Sequence, residues 1–76
     1  MDQETINNNF KYHAPTKEKI IIHTNLRDHA KDLVCFINNS CPDSREKSLA
    51  ITHIENAVMW ANAAVARYQL KSKENC

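Results

Sequence analysis

Tyr12, Arg27 and Arg67 are the side chains in this sequence best suited to hold a small anion that carries a flat ring. A tyrosine ring offers a face to a nucleobase, and a guanidinium grips a phosphate through two parallel N–H groups. Residues 56–73 contain Arg67, Lys71 and Lys73 and no acid. Arg27 lies beside Asp28. A plainer reading stays open: Arg27 pairs with Asp28, Asp32 or another surface acid, and Arg67 is a solvated helix-end cation. Trp60 shares a helical face with Asn56, Ala63 and Arg67, a placement that suits an interface anchor.

The groups needed for catalysis are missing. There is no serine elbow, no His-Glu-x-x-His, no cysteine with a positioned histidine and no carboxylate pair. His13, His23, His29 and His53 are scattered and read as surface or satisfied core histidines. Cys35, Cys41 and Cys76 are odd in number and lack a Cys-x-x-Cys. We read them as a buried Cys35, a loop Cys41 and a frayed Cys76. A zinc site from Cys35, Cys41 and a histidine lacks the usual ligand spacing. The expectation is a binding protein, not an enzyme, with no cofactor and no metal.

Glycine is absent, which rules against glycine-rich phosphate loops and Rossmann turns. Ten Lys and Arg against nine Asp and Glu give a net charge of +1, too little for wholesale capture of DNA. A DNA-reading helix would also be basic where this chain has alanines. No stretch approaches the roughly 18 apolar residues of a membrane span. The acidic Met1-Asp2-Gln3-Glu4 start is the reverse of a secretory signal, so the expected location is the cytosol.

The elements that must position these residues are helical. We expect an all-α chain: an irregular N-terminal arm over 1–15, an antiparallel two-helix hairpin over 16–70 and a flexible tail over 71–76. The Asn7-Asn8-Asn9 run competes with helical hydrogen bonds, leaving at most a short turn at residues 2–6. The arm aromatics Phe10 and Tyr12 need a surface to dock on. Thr16 caps the first long helix, which runs to about Asn38 and carries Ile22, Leu26, Ala30, Leu33 and Ile37 on one face. An asparagine in the left-handed conformation would close it in place of glycine. The second helix starts at Asp43 or Ser44, with a capping-box pattern from Asp43 to Glu46, and runs to roughly Leu70.

Two apolar series mark the second helix. One is Ala50, Ile54, Ala57, Ala61, Ala64 and Tyr68; the other is Ile51, Ile54, Val58, Ala61, Val65 and Tyr68. Together they form an arc wider than one partner helix covers. A chain of 76 residues is also marginal as a lone core. A homo-oligomer answers both problems.

Two stretches resemble a known family. One is Cys41-Pro42-Asp43-Ser44-Arg45-Glu46-Lys47-Ser48-Leu49-Ala50 leading into Glu55-Asn56-Ala57-Val58-Met59-Trp60-Ala61-Asn62-Ala63-Ala64-Val65-Ala66-Arg67. The other is Phe10-Lys11-Tyr12-His13-Ala14-Pro15, similar to a Phe-x-Tyr-His-x-Pro arm. Across about residues 10–67 the chain resembles the phage anti-CBASS sponge family, whose hairpin domain is shared with a Thoeris-blocking sponge family. The resemblance implies a hexamer of helical hairpins, made in the cytoplasm of an infected bacterium. It implies sequestration, without cleavage, of cyclic dinucleotides and cyclic trinucleotides in two kinds of pocket between protomers. By the same resemblance Tyr12 stacks on a base of the cyclic dinucleotide and Arg27 holds its phosphate. Relatives can carry lysine at the position of Arg27; arginine keeps the charge and adds a fork. Arg67 lines the trinucleotide pocket. The competing readings are a sponge for a cyclic ADP-ribose isomer and a helical adaptor or inhibitor that docks on a host protein.

Overall fold

The computed structural model describes residues 1–71. Three helices follow one another: α1 over Gln3–Phe10, α2 over Lys17–Ser40 and α3 over Arg45–Arg67. Each begins the same way. The side chains of Asp2, Thr16 and Ser44 accept the main-chain N–H three residues on, from Thr5, Lys19 and Lys47 at 2.8, 3.3 and 3.1 Å. Glu4, Glu18 and Glu46 stand in the first turns, where the helix dipole favours negative charge.

α1 corrects the expectation of an irregular arm over 1–15. The helix runs straight through Asn7-Asn8-Asn9. Two of those amides are engaged away from their own backbone. Asn7 Oδ1 accepts from Gln3 Nε2 at 2.8 Å, and Asn8 Nδ2 donates to the carbonyl of Arg67 at 3.1 Å. With those side chains occupied, the local competition that disfavours asparagine in helices is removed. The irregular part of the arm is the short segment from Lys11 to Thr16.

Other boundaries shift as well. α2 continues through Asn38 and Asn39 to Ser40, and no described residue has positive φ, so the left-handed asparagine cap is not formed. α3 is capped by Ser44, one of the two expected starts, but it ends at Arg67 instead of near Leu70. Asp43 instead pairs with Lys47 Nζ at 2.7 Å. The expected tail at 71–76 lies outside the described residues beyond Lys71.

α2 and α3 pack against each other as the antiparallel hairpin. Three polar contacts cross the seam in one register. Lys19 Nζ donates to the carbonyl of Ala66 at 3.3 Å, and four residues on His23 meets Asn62, four residues back. Fifteen residues further along α2 the carbonyl of Asn38 accepts from Lys47, fifteen residues back along α3, at 2.9 Å. A step forward on one helix is matched by an equal step back on the other, so the pairing has no slip.

Between these contacts lie half-buried Ile22, Leu26, Ala30, Val34 and Ile37 of α2, and Ile51, Ile54, Val58, Ala61 and Val65 of α3. The expected α2 stripe is therefore corrected at one position, with Val34 half-buried and Leu33 48% exposed. On α3, Ile51, Ile54, Val58, Ala61 and Val65 are half-buried, while Ala57, Ala64 and Tyr68, which ends both series, are exposed. Cys35 is exposed, against the expectation that it is buried.

No described residue is buried. The accessible surface is 6605 Å², where a compact chain of 8.8 kDa exposes roughly 4,800 Å². The radius of gyration is 15.5 Å, against about 11 Å for a globule of this length. Phe36, Met59 and Trp60 are each about two-thirds exposed. The single hairpin is thus a half-finished core.

Lys47 joins the connector to the end of α2. Replacing it with methionine keeps the stem and removes both polar contacts, which is expected to lower the urea midpoint of unfolding at fixed protein concentration. The hydrogen bond from Lys47, and then its charge, hold the Asp43 carboxyl below the ordinary carboxylate value. The folded chain therefore binds fewer protons at Asp43 than the unfolded one. The contribution is complete above the ordinary value and fades as pH falls through the lowered one. Lys47→Met is expected to flatten that acid-side loss.

Candidate functional site

The hairpin has a closed end at residues 41–44 and an open end where α1, the arm, the start of α2 and the end of α3 meet. The open end is built around main-chain carbonyls. An α-helix leaves its last carbonyls without partners, and glycine in a left-handed cap usually redirects the chain to satisfy them. Here the caps Lys11, Cys41 and Tyr68 all leave in extended conformation. Side chains from elsewhere supply the donors. Lys19 reaches the carbonyl of Ala66, and Asn8 reaches that of Arg67. The carbonyl of Asn8, in the last turn of α1, accepts from His13 Nε2 at 2.8 Å. Because a carbonyl only accepts, Nε2 carries the proton.

These contacts fasten α1 and the arm to the end of α3. Tyr12 sits inside this linked segment, next to His13, and is 82% exposed. Arg67 is half-buried, with its main chain held by Asn8. Its side chain borders an open groove of about 450 Å³ with Met59, Trp60, Asn62 and Ala63. The volume lies within the usual range for small-molecule sites. Trp60, expected to be an interface anchor, presents an open face in this groove.

Arg27 stands apart. It is exposed on α2, about three helical turns beyond the Thr16 cap. Its Nη2 donates to Thr24 Oγ1 at 3.5 Å, a long contact. The one ion pair among the described residues is that of Lys47 with Asp43, so neither Asp28 nor Asp32 neutralises Arg27. The structure thus places Tyr12 and Arg67 at the same linked end of the hairpin and brings neither into hydrogen-bonding contact with Arg27.

His23 and Asn62 form the polar centre of the seam. Asn62 Oδ1 lies 2.6 Å from His23 Nδ1, which is therefore the donor. Asn62 also lines the groove beside Arg67 and so connects the hairpin interior with the groove wall. Sequence reasoning missed Asn8, His13, Lys19, His23 and Asn62. A signal was present: Lys19 and His23 recur at helical spacing on the face carrying Ile22, Leu26 and Ala30, where a polar residue needs a partner.

On the outer side of the seam, Leu26, His29, Ala30 and Leu33 face Ile54, Ala57, Val58 and Ala61 across an apolar groove of about 300 Å³. Among the described residues no cluster of histidine, cysteine and carboxylates could hold a metal. No described helix is long and apolar enough to cross a membrane.

The family model of the Acb2/Tad1 hairpin domain matches residues 2–66. No curated protein and no solved structure matches the chain.

Asn62→Ala leaves the His23 N–H without its acceptor and is expected to cost about 1–3 kcal/mol in urea unfolding. Asn62→Asp keeps an acceptor there and is expected to retain most of that stability.

Proposed function

The chain belongs to the Acb2/Tad1 hairpin-domain family of anti-CBASS and anti-Thoeris sponges, and from that premise we propose that it binds cyclic oligonucleotide messengers and withholds them intact. The family match carries this reading. Three features of the molecule support it: an exposed tyrosine beside a fixed histidine, an arginine with no acid against it, and a second arginine at a groove bearing an open tryptophan face.

Tyr12 stacks on a base of a cyclic dinucleotide and Arg27 binds its phosphate. Arg67 holds a cyclic trinucleotide. Along the helix Arg27 is about 16 Å from the Thr16 cap, so a compact ring contacts both Arg27 and Tyr12 more readily when they come from different chains. This fits a homo-oligomer, the hexamer implied by the family resemblance, with ligand at the seams between copies. The unfinished core gives that assembly its driving force: Phe36, Trp60 and the alanines of α3 gain cover when copies meet. Binding would occur in the cytoplasm of an infected bacterium. No step of bond cleavage is needed, since a sponge acts by affinity and abundance.

The family model spans both Acb2 and Tad1, which favours one alternative cargo, a cyclic ADP-ribose isomer. Calorimetry against cyclic dinucleotides, cyclic trinucleotides and cyclic ADP-ribose isomers distinguishes these ligands. Recovery of unchanged ligand after heat denaturation separates a sponge from a hydrolase. A chain that binds none of the panel overturns the reading.

Tyr12→Ala is expected to weaken cyclic dinucleotide binding at least tenfold, on the scale of about 1–3 kcal/mol per stacked base. Arg67→Ala is expected to weaken trinucleotide binding selectively; equal loss for both ligand classes counts against separate pockets.

Ala57 is exposed in the single hairpin, so glutamate there is tolerated within one chain. Ala57→Glu is expected to lower the mass measured by light scattering, because the new carboxylate would be buried without a partner on assembly.

A further inference from the structure

His13 is the one arm residue that turns inward while its neighbour turns out. It is half-buried, and Tyr12 is 82% exposed. Its Nε2–H donates to the carbonyl of Asn8 at 2.8 Å, and the Asn8 side chain donates to the carbonyl of Arg67 at 3.1 Å. The bond closes a loop around Phe10, Lys11 and Tyr12 against α1, and the second bond ties α1 to α3. Lys11 leaves α1 in extended conformation, the geometry in which neighbouring residues project to opposite sides. Holding the imidazole inward therefore holds the Tyr12 ring outward.

We infer that His13 is a positioning residue for ligand binding: its hydrogen bond to Asn8 fixes the arm so that Tyr12 stands ready to receive a base. The inference rests on the proposed stacking role of Tyr12. Without the bond the arm samples many arrangements, and ligand must select the competent one, which lowers apparent affinity by the competent fraction. His13 itself need not touch ligand. Asn8 acts in the same device, since its main-chain carbonyl receives His13 and its amide anchors the helix that carries that carbonyl.

The test uses the full chain and calorimetry with cyclic di-AMP, cyclic di-GMP and cyclic GMP–AMP, with cyclic tri-AMP as the reference ligand. His13→Leu is expected to lower dinucleotide affinity about tenfold, the scale of one lost hydrogen bond. Mass, helicity and cyclic tri-AMP affinity are expected to stay unchanged. His13→Gln, whose Nε2 can stand where the imidazole Nε2 stands, is expected to restore dinucleotide binding. His13→Asn has an amide too short to reach and is expected to behave as His13→Leu does, which keeps the test available if leucine disturbs folding. If Tyr12→Ala weakens binding while His13→Leu and His13→Asn do not, the inference is overturned and the proposed function stands. An equal fall for cyclic tri-AMP, or no recovery with glutamine, also overturns it. If Tyr12→Ala changes nothing, the stacking role itself fails and the inference falls with it.

Discussion

The last carbonyls of each helix set the terms for this structure. With no glycine in the chain and no left-handed residue among the described ones, the helices do not close with the usual turn. Each helix instead leaves in extended conformation, and a donor comes from another part of the chain. His13 serves α1, Lys47 serves α2, and Lys19 with Asn8 serves α3. Two of these contacts cross the hairpin seam and fix its register. The other two fold the arm onto the hairpin's open end. A local deficiency of the backbone has thus become the tertiary framework.

That framework matters because the apolar seam is thin. Ile22, Leu26 and Ala30 meet Ile54, Val58 and Ala61 over a narrow strip, and every one of them stays partly open to solvent. Alanines permit close approach but bury little area each. Hydrophobic contact sets which faces meet. The lysine, histidine and asparagine contacts set where along the axis they meet. The apolar surface left uncovered on α3 is available to further copies, in keeping with the proposed assembly.

Much of the fold could be read from the chain. Thr16 followed by an apolar helical series, and Asp43-Ser44 ahead of Arg45-Glu46, marked the starts of two long helices because capping is a local effect. The apolar arc of α3 was visible for the same reason. The arm was misread because Asn7-Asn8-Asn9 was judged by local competition alone, whereas Asn8 answers to Arg67, far along the chain. The exchange of Leu33 for Val34 on the seam depends on helix rotation, which period alone does not fix. Tyr12, Arg27 and Arg67 were singled out by residue type and by resemblance. The residues that hold the arm beside Tyr12 and the main chain of Arg67 in place were not, since a donor aimed at a carbonyl leaves no mark at the acceptor's position.

That last asymmetry bears on how the protein can change. A main-chain oxygen is present whatever amino acid bears it, so evolution can rewrite position 67 without breaking the tether from Asn8. The guanidinium makes no hydrogen bond or ion pair within the described residues. A substitution there alters the side chain at the groove, while inheritance of the scaffold is entrusted to Asn8, His13, Lys19 and Lys47.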